Sequence, residues 1–161
     1  MTVILFYVFA ALAVGSALVV VGQRNPMYSA LGLIVTLCSM AAIFGLLGSP
    51  FIAALQVVVY AGAIMVLFLF VLMLLGVKGE DRGSSRALKV VATALAVALA
   101  AQMAVVLTGS ARPQAAAPLD ASTRAVAHVL FSAPYLYAFE ATSILILAAL
   151  VGSIVLARRE P

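Results

Sequence analysis

Charge is the scarcest thing in this sequence. Among 161 residues there are 9 Lys or Arg and 5 Asp or Glu, while 66% of positions are hydrophobic and the mean hydropathy is +1.28. Soluble domains are about one quarter charged. So few charges cannot cover a globular surface without leaving large apolar patches exposed. The shortage excludes a soluble enzyme, and the apolar excess excludes a disordered chain. Lipid is the solvent that this composition implies.

Cysteine and histidine occur once each. Cys38 cannot form an internal disulfide, which excludes a secreted disulfide scaffold. Inside an apolar run it reads as a small hydrophobe packed between helices. His128 has no companion at ligand spacing, so no metal or haem site is expected, and no catalytic or cofactor-binding residue is read in this chain. The net charge of +4 and pI of 9.6 would point to nucleic acid in a soluble protein. In a membrane protein basic residues collect instead in cytoplasmic loops, and no nucleic-acid partner is expected.

Long uncharged runs are what the sequence does have. They cover Met1 to Gln23, Met27 to Val77, Val90 to Ala111 and Ala141 to Ala157. A crossing needs about 20 apolar residues, so the second run is too long for one helix. Gly48-Ser49-Pro50 breaks it, because Pro cannot continue a helix. The result is an all-α integral membrane protein, a single membrane domain over 1–161. Its five transmembrane helices are expected at about Val3–Val21, Met27–Leu47, Phe51–Val77, Leu88–Leu107 and Ala138–Ala157. The first run has no basic n-region and no clear small-x-small cleavage site before Arg24, so it reads as a retained helix and not a signal peptide. Asn25-Pro26 reads as an N-cap followed by Pro at the first helical position.

With the N-terminus outside, the cytoplasmic segments hold Arg24, Lys78, Arg82, Arg86, Lys89, Arg158 and Arg159, and the outer side holds Arg112 and Arg124. That asymmetry places the N-terminus in the periplasm and the C-terminus in the cytoplasm. One long outer loop runs from about Thr108 to Tyr137. Its first half, 111–118, is Pro- and Ala-rich and reads as irregular. Its second half, 122–131, sets Val126, Val129 and Leu130 opposite Arg124 and His128, a short amphipathic helix at the interface. His128 then faces water or headgroups, with a proton relay as the other reading. No internal repeat or inverted symmetry is visible, which disfavours an autonomous transporter.

Polar residues inside the spans are few. Glu140, near the outer end of the last span, is the one candidate intramembrane acid. Such groups are costly and default to function, although a carboxylate at that depth can also snorkel to the interface. Gln56 is the one amide deep in the third span, four residues before Tyr60, a spacing that puts both on one face of an α-helix. Tyr7, Tyr28, Tyr135 and Tyr137 lie near span ends, as an aromatic belt requires; Tyr60 lies near the midplane, where its hydroxyl wants a partner. Gly62, between Ala61 and Ala63, is either a close-packing residue or a hinge. Ala41/Gly45 and Ala148/Gly152 have the small-xxx-small spacing of packed helices. Five helices with small-residue faces and almost no polar interior read as one component of a larger assembly.

The residues now carry a resemblance. Asn25-Pro26, the string from Gln56 through Val59-Tyr60-Ala61-Gly62-Ala63-Ile64-Met65 to Val71, and more weakly Leu130-Phe131, Tyr135 and Phe139-Glu140-Ala141-Thr142-Ser143, resemble the subunit J family of the proton-translocating NADH-quinone oxidoreductase, respiratory complex I. Its mitochondrial counterpart is NADH dehydrogenase subunit 6. The resemblance covers essentially the whole chain, strongly over 25–75 and loosely over 86–125. Some members carry Glu where Gln56 stands, so a proton-carrying role is not transferred to that position. One extra residue between Phe131 and Tyr135, and Ala127 where Gly is common, are further departures.

The resemblance implies a membrane-arm subunit of a translocating NADH:quinone oxidoreductase that binds no cofactor itself. FMN, iron–sulfur clusters, NADH and quinone would sit on other subunits. It implies a π-bulge to α-helix switch around Tyr60, Ala61 and Gly62, with Gln56 and Met65 nearby, that gates a water wire between the quinone end and the antiporter-like subunits. The partners it implies are the bilayer and subunits K, A, H and N, with K nearest. The location it implies is the bacterial inner (plasma) membrane, crossed several times. Two other classes stand beside this one. They are a complex I-like component of a multisubunit cation/proton antiporter or membrane-bound hydrogenase, and a stand-alone small membrane transporter.

Overall fold

The computed structural model describes residues 1–76, 86–109 and 120–158. Among them the chain forms α1 (Thr2–Gly22), α2 (Pro26–Leu46), α3 (Pro50–Leu75), α4 (Arg86–Gly109), α5 (Thr123–Leu130) and α6 (Ala133–Ala157), with no strand among the described residues. By length and composition α1, α2, α3 and α6 can each cross a membrane. In α4 the apolar stretch is Val90–Val106.

The helix boundaries follow local chemistry. The Asn25 side chain accepts a hydrogen bond from the Met27 N–H at 3.0 Å, and Pro26 opens α2, as the sequence predicts. Pro50 opens α3 after Gly48, whose φ of 80° makes the turn. That is a conformation glycine adopts at little cost. At the other end Gly76 takes the left-handed conformation, φ 57°. It ends α3 at Leu75 by the usual glycine C-cap, two residues short of the expected Val77.

The last span differs more. It begins at Ala133, with Pro134 in its first turn, and not at Ala138. A proline there costs no helix hydrogen bond, because the first N–H groups are unpaired anyway. Tyr135 and Tyr137 are therefore helical, and the connection expected to run to Tyr137 ends at Ser132. The fourth helix is also longer than expected, Arg86–Gly109. Segment 77–85, expected to be a cytoplasmic loop, and the Pro/Ala-rich segment 110–119 lie outside the described residues.

Packing centres on α2. It runs antiparallel to α1: Ser29 Oγ donates to the Val20 carbonyl at 2.8 Å, and further along Ser16 and Thr36 share a hydroxyl–hydroxyl bond of 2.8 Å. Gly32 admits the close approach, since a Cβ there would stand 3.1 Å from Val20 Cγ2. On its other side α2 packs against all of α3. Ala41 is buried, and a Cβ at Gly45 would meet that of Ala53 at 3.9 Å, so the first small-xxx-small pair is used for packing within the chain. The second is not: a Cβ at Gly152 would meet nothing within 4 Å. Cys38 is exposed, a correction to its expected place between helices, because α2 turns Ala30, Ser39 and Ala41 to its neighbours instead.

The remaining helices attach sparingly. The short helix α5 packs on α6 and on the first segment of α3, Pro50–Leu55. Phe131, just after α5, meets Phe139 of α6 edge-on with ring centroids 4.9 Å apart. Among the described residues α6 touches no other element, and α4 touches none at all.

Candidate functional site

The third helix is not a single α-helix. Pro50–Leu55 and Met65–Leu75 are α-helical, but Gln56–Ile64 between them is a nine-residue π-helix. π-Geometry closes its hydrogen bonds on the fifth residue instead of the fourth, is rare, and usually marks a functional position. The run Val57-Val58-Val59 is β-branched and rotamer-restricted in a helix, and it lies inside the widened segment.

The burial pattern records the extra residue. Gln56, Ala61 and Met65 are 9%, 9% and 4% exposed, spacings of five and then four. They form the face of α3 that meets α2, the neighbour against which this segment packs. Tyr60 is 51% exposed. The sequence spacing put Gln56 and Tyr60 on one face, and the structure separates them, because across a π-turn the residue in line with Gln56 is the fifth, Ala61. Neither the Gln56 amide nor the Tyr60 hydroxyl has a side-chain hydrogen bond among the described residues. Gln56 is buried as a residue at the first position of the π-helix, but no buried side-chain nitrogen or oxygen among the described residues is left without a partner, so its amide is not sealed away unsatisfied.

Gly62 is half-buried. A Cβ at this position would lie 3.2 Å from the Val57 carbonyl oxygen, five residues back. That contact is tight but not prohibitive, so glycine eases the π-turn without being forced by a positive φ.

The other sequence candidates do not join this cluster. Glu140 is exposed on α6, and with the helix starting at Ala133 it stands about 10 Å along the axis from that end. His128 is exposed in the last turn of α5, one turn from Arg124, on the face opposite Val126 and Leu130. The Ser122 hydroxyl caps α5 by accepting from the Ala125 N–H at 3.3 Å. The Asp120 carboxylate in turn accepts from the Ser122 N–H at 2.9 Å. That backbone bond, with a further one to the Ser122 side chain, holds the carboxyl below the usual carboxylate range. Sequence reasoning missed Asp120; its spacing of two from Ser122 is the usual signature of an Asx-turn. Among the described residues no group of three or more His, Cys, Asp or Glu could hold a metal ion.

Comparison with known proteins bears directly on this helix. The family described as NADH-ubiquinone/plastoquinone oxidoreductase chain 6 matches residues 16–156, a range that contains all of α2 and α3. The chain is 38% identical over 160 residues to NADH-quinone oxidoreductase subunit J of Pseudomonas aeruginosa, covering 96% of each. It is 36% identical over 159 residues to the subunit J of Escherichia coli strain K12, covering 96% of this chain and 86% of the relative. It is 39% identical over 161 residues to NAD(P)H-quinone oxidoreductase chain 6 of Leptolyngbya boryana, covering 98% and 80%. An all-helical, lipid-compatible chain matched along nearly its whole length in this way belongs to the NADH-quinone oxidoreductase subunit J/chain 6 family.

Proposed function

We propose that this chain is a membrane-arm subunit of a proton-translocating NADH:quinone oxidoreductase, in which α3 couples quinone reduction to proton movement by changing helical form. Family membership supports the assembly. The single observation that supports the coupling role is the π-helix at Gln56–Ile64.

The register supplies the device. With Gln56 as reference, an uninterrupted α-helix would set Tyr60 and Ile64 where the π-form sets Ala61 and Met65. Loss of the extra residue rotates one half of α3 against the other by about 100° and shifts it by about 1.5 Å. The half that turns is the later one. Pro50–Leu55 is gripped by both α2 and α5, whereas Met65–Leu75 packs on α2 alone among the described elements outside α3. The turn brings the Tyr60 hydroxyl toward the Gln56 amide and withdraws the apolar Ala61. A pair of polar groups then replaces one, and water is anchored in one state only. This is the gate proposed for the water wire toward the antiporter-like subunits.

In this reading the chain crosses the bacterial inner membrane five times, with α4 as the fourth crossing and the N-terminus outside. Its neighbours are subunits K, A, H and N, with K nearest. Flavin, iron–sulfur clusters, nicotinamide and quinone are held by other subunits, and this chain supplies only the gate.

Structures of the assembled complex at rest and under turnover test the proposal. A second state with a continuous i→i−4 ladder from Ala53 to Leu74, and Tyr60 turned to the Gln56 face, is the expected result. A π-helix at Gln56–Ile64 that persists in every state, with Tyr60 always turned away, would rule the switch out.

A further inference from the structure

A cleft of about 280 Å³ opens where α5 meets the start of α6. It is lined by Ala125, Val126, Val129 and Leu130 of α5, by Tyr135 of α6 and by Asp120, just before α5. Val129 and Tyr135 are 55% and 53% exposed, so the cleft is open to its surroundings. Helix α6 is long and apolar enough to cross a membrane, and the cleft lies at the end where that helix starts. Headgroups meet acyl chains at this depth, where tyrosine is also favoured.

Charge decides what fits. The Asp120 carboxyl is held below the usual carboxylate range by its bonds to Ser122, with no cation beside it among the described residues. An ionised carboxylate offers about four acceptor positions, so Ser122 leaves room for a donor. An anionic headgroup would be repelled, and one ending in hydroxyls would leave the charge unmatched. A quaternary ammonium has no N–H to donate, and charge alone contributes little to an exposed pair. A primary ammonium carries the charge and donates as well, which makes the stronger kind of hydrogen bond. It can also lie against the ring of Tyr135. Arg124, exposed in the first turn of α5, supplies a cation for a phosphate at the same end of the helix.

We infer that the cleft between α5 and α6 binds one phospholipid with a primary-amine headgroup. Its ammonium sits on the Asp120 carboxylate, its phosphate on Arg124, and its upper acyl chain along Val126, Val129 and Leu130. The inference needs α6 to enter the bilayer from Ala133, and it is independent of the switch proposed in α3.

The test uses the chain in its native assembly, in isolated membrane vesicles. A phosphatidylethanolamine carrying a diazirine near the top of one acyl chain is added and activated by light, and labelled peptides are mapped by mass spectrometry. Peptides covering 120–135 should carry the label. Unlabelled phosphatidylethanolamine should displace it at about one fifth of the concentration that phosphatidylglycerol or phosphatidylcholine requires. Asp120→Asn keeps an oxygen that can accept the Ser122 N–H, so the turn survives while the charge is removed. Labelling should then fall about fivefold, and Arg124→Gln should lower it by a smaller factor. Label that is absent from 120–135, that all three lipids displace equally, or that Asp120→Asn leaves undiminished would overturn the inference. If Asp120→Asn loses α5, the competition series on the unmodified chain still decides between a site and an unspecific lipid contact.

Discussion

Gln56 and Ala61, five residues apart, are buried side by side on the α2 face of α3, while Tyr60, the residue that α-helical spacing would pair with Gln56, stands half exposed on another face. One extra residue in the turn accounts for the difference. It also places the only deep amide of this helix at the first position of the π-segment, where a change in hydrogen-bond pattern alters its surroundings most.

Gly62→Val should act on that pattern. Val is compatible with lipid, so insertion and assembly are expected to survive, but its Cβ would press on the Val57 carbonyl from 3.2 Å. A bias of about 1.4 kcal/mol between two helical forms changes their ratio tenfold. The variant complex should still pass electrons from NADH to an artificial acceptor and lose most of its quinone-coupled proton pumping. Full pumping in an assembled Gly62→Val complex would leave Gly62 a packing residue only.

Glu140→Gln should change little. The carboxylate is exposed on α6 and about two turns from the helix start, within reach of the interface by snorkelling. Pumping measured in membrane vesicles should stay within a few-fold of the unmodified level. A loss beyond about tenfold with assembly intact would mark the group as part of a proton path.

Topology can be read by thiol labelling in a Cys38→Ala background. With the N-terminus outside, Thr123→Cys at the start of α5 should react with a membrane-impermeant maleimide in intact cells. Gln23→Cys, between α1 and α2, should react only after the membrane is opened. The reverse pattern would invert the orientation drawn from the Lys and Arg distribution.

The acid limit of α5 follows from Asp120. Its folded-state carboxyl titrates below the usual range because it accepts the Ser122 N–H. A depressed pKa contributes stability above the unfolded value and loses it as pH falls through the folded one. The protection factor of the first turn of α5, its hydrogen exchange relative to an unstructured amide at the same pH, should therefore be level through neutral pH and fall only in acid, from the ordinary carboxylate range downward. A protection factor that already changes near neutral pH would show that the Asp120–Ser122 bond does not hold the cap.

Much of the architecture was legible along the chain because a bilayer imposes simple rules. Apolar runs of crossing length, Asn25-Pro26 and Gly48-Ser49-Pro50 located the first three helices within two residues. The amphipathic order of Arg124, Val126, His128, Val129 and Leu130 located α5. Those signals are local: hydropathy, capping and proline geometry act on neighbours in sequence. The family string around Tyr60 was also visible, since it is an unbroken run.

What the sequence could not decide is which faces meet. Periodicity paired Gln56 with Tyr60 because it assumes 3.6 residues per turn, and only the packed helix reveals the wider turn that sets Ala61 in line instead. The last span was expected to start at Ala138, and the helix instead begins at Ala133 with Pro134 in its first turn. Cys38 sat in an apolar run like its neighbours, and its outward position emerged only once α2 had chosen Ala30, Ser39 and Ala41 for its contacts. In a chain that is apolar on every side, hydrophobicity says that a helix enters the membrane but not which way it turns there. That choice belongs to close contacts between small residues and to the few polar groups that need partners.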